Sequence, residues 1–109
     1  MQWQVEASRL TPLDGRHRAA LDGRMEHFAH RTFWEGYEKL PAQIRALADA
    51  RYELLAANPR HPSLRLKKIG RFWSVRVNDD YRAVGVDIEE GVLWIWIGPH
   101  DEYDRFIRR

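Results

Sequence analysis

The spacing of apolar positions divides the chain into a helical part and an extended part. Apolar side chains recur at helical spacing over residues 33–40 and again over residues 42–57. Pro41 stands where the second segment begins, a position that a helix tolerates. Pro59 and Pro62 cannot continue a helix. The pattern therefore predicts a helical hairpin that ends just before Pro59.

Beyond Pro62 the chain reads as strands. Three segments rich in aromatic and β-branched residues follow one another: residues 71–77, 81–88 and 92–98. They are separated by three-residue stretches, a length typical of hairpin loops. Residues 27–30 form a further short extended segment. We expect an α+β fold in which the helical hairpin packs on a small antiparallel sheet of three to four strands.

The expected three-residue loops determine which residues face one another across the sheet. Counting outward from each loop assigns every strand residue a partner and one of two faces. The face predicted to pack under the helices carries Trp73, Val75, Val77, Tyr81, Ala83, Gly85, Leu93, Ile95 and Ile97. The opposite face is predicted to carry Phe72, Ser74, Val84, Val86, Trp94 and Trp96.

The second face also brings two arginines together at one end. Arg76 is expected directly opposite Arg82, with Gly98 alongside. His100 and Tyr103 follow just beyond the last strand. Like charges that face each other destabilise a sheet, so the pair favours a bound anion such as a phosphate, which two guanidiniums can clasp. The simpler alternative is an ordinary surface ion pair of Arg76 with Asp79 or Asp101.

Composition places the chain among single-domain globular proteins. Its 109 residues suit one core, and 44% hydrophobic with 31% charged residues is the balance of a folded protein. The lack of cysteine excludes disulfides, thiolate metal sites and cysteine nucleophiles. No apolar run reaches the length of a membrane span, and the first residues lack the pattern of a signal peptide. We therefore expect a cytoplasmic protein.

Basic residues concentrate in one segment. The net charge is +2, but residues 60–82 hold seven Lys or Arg against two Asp, an excess of five. Such an excess indicates an anion-binding surface, although it also occurs on ordinary solvated faces. Acids of the turns and the C-terminal segment are usually solvated, so we expect no metal or cofactor at Asp79, Asp80, Asp101 and Asp104.

Five segments, in their order and spacing, resemble a known superfamily. They read HPSLRLKKI, RFWSVRV, DDYRAVGV, VLWIWIG and HDEYD. Together with the helical hairpin they resemble the RelE/ParE toxins of type II toxin-antitoxin systems over residues 25–109. Residues 1–24 have no counterpart in this resemblance and are taken as an N-terminal extension of uncertain structure. Whether Met1 or Met25 is the start stays open.

The resemblance implies a toxin that a cognate antitoxin neutralises in a hetero-oligomer. RelE-like members cleave mRNA in the ribosomal A site without a metal, which would make the ribosome and mRNA further partners. ParE-like members instead poison DNA gyrase. A third alternative is a non-catalytic module that binds a partner through the face with Trp94 and Trp96, unless residues 1–24 cover that face.

Site roles carry over from the RelE-like branch by position. Arg82 matches the strand arginine that stabilises the scissile phosphate, and Arg76 matches a basic strand residue nearby. His100 falls where that branch places an arginine or histidine, and Tyr103 lies near its terminal aromatic residue. Ser74 is a departure, because a well-known member has a lysine there. Which group removes the proton from the 2′-hydroxyl is therefore open.

The residue types suit this chemistry independently of the resemblance. Metal-free RNA cleavage needs proton transfer at two oxygens and cations at the phosphate. His100 is assigned the acid-base work, and Tyr103 or Trp96 is assigned stacking on a base or its orientation. A patch of Lys67, Lys68 and Arg71 is expected to hold the RNA backbone, with Ser74 beside the substrate.

Overall fold

The structure is a computed structural model of the chain, and it describes residues 26–107. Its strands are β1 (Glu26–Ala29), β2 (Lys67–Ile69), β3 (Phe72–Asn78), β4 (Tyr81–Ile88) and β5 (Gly91–Pro99). Its helices are α1 (Arg31–Glu38), α2 (Ala42–Ala57) and α3 (His100–Ile107), with a short 3₁₀ turn at Pro62–Leu64. None of these helices could cross a membrane. The expected extension at residues 1–24 lies outside the described residues.

The predicted α+β class is confirmed, but the sheet is larger than expected. It has five strands in the order β1-β5-β4-β3-β2 rather than three or four. It is also mixed rather than antiparallel, because β1 runs parallel to β5 and pairs His27 with Val92. The short β2 adds an antiparallel edge beside β3. The helices α1 and α2 occupy the predicted positions, and α3 is an element that the sequence pattern did not reveal.

Close backbone packing fixes α1 against the central strand β5. A Cβ atom on Gly36 would lie 2.5 Å from the carbonyl oxygen of Ile97, so only glycine allows this approach. Thr32 Oγ1 donates a hydrogen bond to the carbonyl oxygen of Ile95 at 2.6 Å. His30 caps the helix by accepting a hydrogen bond from the backbone N–H of Thr32. Helix α1 therefore contacts the part of β5 that lies beyond its pairing with β1.

The first hairpin has a two-residue turn and a bulge instead of the expected three-residue turn. Asn78 pairs with Tyr81, and the side-chain oxygen of Asn78 accepts the backbone N–H groups of Asp80 and Tyr81 at 2.8 and 3.0 Å. Val77 is left without a partner, so the predicted pair of Val77 and Tyr81 is wrong. Arg51 Nε donates to the carbonyl oxygen of Val77 at 3.0 Å, which gives the bulged residue a hydrogen-bond partner.

The second hairpin repeats this displacement and moves a tryptophan to the other face. Ile88 pairs with Gly91 across a two-residue turn, and the ladder shifts at Ile95. Trp94 consequently pairs with Gly85 rather than with Val86, and its side chain is only 1% exposed. The predicted position of Trp94 on the second face is therefore wrong, and so is that of Leu93 on the first.

The hydrophobic core lies between α1, α2 and one face of the sheet, which we call the core face. Its buried side chains include Phe33, Leu40, Ala48, Leu55, Leu64, Val75, Ala83, Trp94 and Ile97. The opposite face, which we call the α3 face, is covered by the C-terminal helix. Tyr103 is buried there, and the Phe106 ring lies 5.4 Å from that of Phe72 and 5.6 Å from that of Trp96. Helices α1 and α2 thus cover the core face, and α3 covers the α3 face.

Candidate functional site

The two strand arginines meet on the α3 face as the sequence predicted. Arg76 and Arg82 are direct partners in the ladder of β3 and β4. Arg76 Nη2 binds the carboxylate of Asp79 at 2.6 Å, which is the surface ion pair foreseen as an alternative. Arg82 Nη1 donates to the backbone carbonyls of Asn78 and Tyr81. Both guanidiniums are therefore anchored at the turn between β3 and β4.

The electrostatics of this pair reflect crowded positive charge. Burial and the charge of Arg76 lower the pKa of Arg82. The hydrogen bond and charge of Arg76 lower the pKa of Asp79, whose side chain is 89% exposed. An exposed carboxylate contributes little to holding an arginine in place. A phosphate that reached the pair would therefore meet two guanidinium cations and a single, weakly bound carboxylate, that of Asp79.

Tyr103 of α3 links the arginine pair to His100. Its hydroxyl is 2.8 Å from Ser74 Oγ, and Ser74 is only 2% exposed. The Arg82 guanidinium lies 6.0 Å from the centre of the Tyr103 ring, within the range of a cation–π contact. The ring of His100 lies 5.8 Å from that of Tyr103. Ser74 positions Tyr103 from below and is not itself on the surface.

His100 begins α3 and lies at the open end of this group. Its backbone N–H donates to the carbonyl oxygen of Asp80 at 2.7 Å, which ties the start of α3 to the turn between β3 and β4. Its Nδ1 is 3.8 Å from Asp104 Oδ2, and its side chain is 45% exposed. A half-exposed imidazole beside a carboxylate can exchange protons with a bound substrate and with water.

Trp96 is on the α3 face and packs over Gly98, which lies beside the arginine pair. A Cβ atom on Gly98 would lie 2.7 Å from Cζ2 of Trp96, so the indole covers Gly98. The indole also packs on Phe106. The predicted stacking of an RNA base on Trp96 is therefore restricted to the part of the ring that Gly98 and Phe106 leave exposed.

The structure separates the three members of the expected basic patch. Lys67 pairs with Ser74 and shares the α3 face. Lys68 pairs with Trp73 on the core side of the sheet, where its Nζ binds Asp87 at 2.6 Å and lies 5.0 Å from the Trp73 ring centre. Arg71 lies in the turn between β2 and β3, with its guanidinium over Phe72. Lys67 is the member adjacent to the arginine pair.

Arg65 is a further cation at this site that sequence reasoning missed. It directly follows the 3₁₀ turn, and its charge lowers the pKa of both Asp79 and Arg82. The turn is joined to the pair because Arg76 Nη1 donates to the carbonyl oxygen of Ser63 at 3.4 Å. Neither the strand pattern nor the register includes Arg65, since it precedes β2. The Pro62 turn just before it was the available signal.

The acidic side chains near the arginine pair lie beside basic groups rather than beside one another. Over residues 26–107, no three His, Asp or Glu side chains come together as possible ligands of a metal ion. Asp79 instead binds Arg76, and Asp104 lies beside His100. The side chains that this site brings together are the guanidiniums of Arg76 and Arg82, the imidazole of His100 and the phenol of Tyr103.

Two solved structures share this fold. A RelB-RelE antitoxin-toxin complex from Methanococcus jannaschii matches with a TM-score of 0.53 and 20% identity, over 72% of this chain and 96% of the matched chain. A copper-bound mutant toxin from Helicobacter pylori matches with a TM-score of 0.51 and 14% identity, over 72% and 97%. No protein-family profile matches the sequence, and no curated protein matches it. The chain has the fold of RelE-like toxins, as the resemblance implied.

Proposed function

We propose that this protein is the toxin of a type II toxin-antitoxin pair and cleaves mRNA on the ribosome without a metal. The observation that carries the proposal is the convergence of Arg76, Arg82 and His100 at one end of the α3 face. The shared fold with a toxin of an antitoxin complex supports the toxin role. The proposed setting is the cytoplasm, with a cognate antitoxin, the ribosome and mRNA as partners.

The proposed role of the arginines is to bind the scissile phosphate. Attack of the 2′-hydroxyl on phosphorus concentrates negative charge on the phosphate oxygens, and cations placed at those oxygens stabilise the transition state. Arg76 and Arg82 lie opposite each other and are held at the same turn. A phosphate would displace the exposed carboxylate of Asp79 and relieve the repulsion between the two guanidiniums.

The proposed role of His100 is proton transfer. In-line attack places the 2′-oxygen and the leaving 5′-oxygen on opposite sides of phosphorus, so one imidazole serves one of the two transfers. The side chain of His100 is 45% exposed at the open end of the site, where a leaving group can reach it. We assign His100 the donation of a proton to the 5′-oxygen. Tyr103 orients this group, since it contacts both His100 and Arg82.

Two other functions were open from the sequence. The non-catalytic module needed an exposed face with two tryptophans, and it loses support because Trp94 is buried in the core. A ParE-like gyrase inhibitor is compatible with the same fold, but it needs no proton-transfer group, so His100 would be dispensable. On that alternative, expression would cause DNA breaks and a damage response, and the His100→Ala variant would be as toxic as wild type.

Primer extension on a reporter mRNA tests the proposal. Wild type and His100→Ala would be added to a purified translation system with and without ribosomes. We expect discrete cuts that require ribosomes and that slow by about 10²- to 10⁴-fold in the variant, the usual contribution of an acid-base group. Intact mRNA with the wild-type protein, while a control toxin cuts, would reject RNA cleavage. Equal cutting by both proteins would reject the role of His100.

A further inference from the structure

Arg65 has an unusual backbone conformation. Its φ and ψ are 47° and 44°, in the left-handed region. Among the non-glycine residues of the described range, it alone has a positive φ. This region brings Cβ close to the following carbonyl oxygen and is costly for residues other than glycine, with asparagine and aspartate next best tolerated. An arginine here is therefore a poor choice for stability.

The surrounding turn enforces this conformation. Pro62 opens the 3₁₀ turn, and His61 Nδ1 accepts the backbone N–H of Ser63 at 3.2 Å. The Leu64 side chain is fully buried in the core. The backbone N–H of Arg65 donates to the carbonyl oxygen of Pro62 at 3.2 Å, and the chain then enters β2. A rigid turn that must close in this way would be most stable with glycine at Arg65.

Arg65 is exposed and directly follows the 3₁₀ turn at Pro62–Leu64, which lies beside the arginine pair. Arg76 is bonded to the carbonyl oxygen of Ser63 in the turn that holds Arg65. A third arginine thus follows a turn that is bonded to the arginine pair, and Asp79 is the acid bound to Arg76.

We propose that Arg65 binds a second RNA phosphate, next to the one held by Arg76 and Arg82, and that this contact is why an arginine occupies a left-handed position. The inference rests on the proposed function, because it takes RNA as the ligand. A phosphodiester carries a single negative charge, which Arg76 and Arg82 already exceed. A third guanidinium increases this excess of positive charge, and a neighbouring phosphate of the same strand would reduce it.

The test combines thermal stability with RNA binding in the full chain. The probe is a short single-stranded 2′-O-methyl RNA, which cannot be cleaved through its 2′-oxygen. Arg65→Gly removes both the guanidinium and the backbone strain, so we expect Tm to rise by roughly 4 °C. We expect its affinity to fall by about tenfold, and the slope of log Kd against log salt to fall by about 0.7, the value for one phosphate contact on a single strand.

Two variants control for the charge at Arg65 and for the loss of an arginine elsewhere on the surface. Arg65→Lys retains the charge and the strain, and should keep the salt slope of wild type. Arg31→Ala removes an arginine of α1 whose ion pair with Glu35 is on the surface, and should leave the affinity unchanged.

The inference is overturned if Arg65→Gly binds the probe with the affinity and salt slope of wild type. It is also overturned if that variant is less stable than wild type, because Arg65 would then have a structural role. Absence of binding by the wild type would overturn it as well. Binding with the expected slopes but no ribosome-dependent cleavage would uphold the phosphate contact and reject the nuclease.

Discussion

The core face and the α3 face of the sheet differ in what covers them. The core face lies under two helices and buries an apolar set that includes Val75, Ala83 and Trp94. The α3 face is covered by one eight-residue helix and carries Arg76 and Arg82 at its open end. Burial of apolar area against two helices stabilises the fold, whereas the repulsion between two arginines that face each other destabilises it.

Two histidines show the same difference at the level of single residues. His27 on the core side is 3% exposed and accepts a hydrogen bond from Trp94 Nε1 at 3.0 Å. Burial lowers its pKa to about 4, so it is neutral at physiological pH. His100 on the α3 face has a side chain that is 45% exposed, beside Asp104. The core face thus carries the buried apolar set and the α3 face carries exposed charged groups, so substitutions can separate stability from the proposed chemistry.

The largest expected contrast is between two tryptophans of the same strand. Trp94→Ala removes a fully buried side chain and the hydrogen bond to His27, so we expect a loss of about 3 to 5 kcal/mol in the free energy of unfolding. Trp96→Ala removes a partly buried ring that packs on Phe106, and we expect a loss of roughly 1 kcal/mol. Urea denaturation measures both. Equal losses would contradict the division between the faces.

The next contrast is in the pH dependence of stability. An unfolded histidine has a pKa of 6.5, and His27 in the folded protein has a pKa of about 4. Below pH 6.5 the unfolded state therefore binds a proton that the folded state does not. Stability that is complete above pH 6.5 is lost as the pH falls toward 4, by about 3 kcal/mol in total.

Replacing His27 with a residue that cannot titrate isolates its contribution to the pH dependence of stability. His27→Gln keeps a polar side chain without an ionisable ring, so its unfolding free energy should change less between pH 7 and pH 4 than that of wild type. Urea titrations of both proteins at the two pH values give the difference. Parallel pH profiles would show that His27 is not buried as a neutral ring.

The smallest contrast is between adjacent lysines on opposite faces of β2. Lys67→Ala should lower cleavage efficiency by about three- to tenfold, because a phosphate contact is lost on the α3 face. Lys68→Ala should leave cleavage unchanged and cost about 1 kcal/mol of stability, because Lys68 contacts Asp87 and Trp73. Equal effects on cleavage would place RNA on both sides of this edge.

Much of the fold follows from the sequence, and the errors have one physical source. Periodicity predicts α1, α2 and the three long strands within about two residues of their observed ends. The predicted register assumed three-residue loops. Each hairpin instead has a two-residue turn, and the third residue forms a bulge within a strand. Beyond the bulge both arrangements give the same pairs, so Arg76 opposite Arg82 was predicted correctly. Between the turn and the bulge they differ, so Trp94 was placed wrongly.

Features that depend on tertiary contacts were beyond sequence reasoning. The parallel pairing of β1 with β5 joins segments that are distant along the chain. The position of α3 depends on Tyr103 and Phe106, whose spacing alone does not reveal a face to cover. Arg65 has no periodicity to mark it, because a left-handed residue after a 3₁₀ turn belongs to neither a helix nor a strand.

The central claim is that the α3 face acts on RNA, and Arg82 tests it most directly. The measurement is the rate of ribosome-dependent cleavage by Arg82→Gln, per folded molecule, well below its Tm. Removing one of two opposed arginines should leave Tm within a few degrees of wild type, while cleavage slows by about 10²- to 10³-fold. A variant that cleaves at the wild-type rate with Arg82 removed would contradict the account.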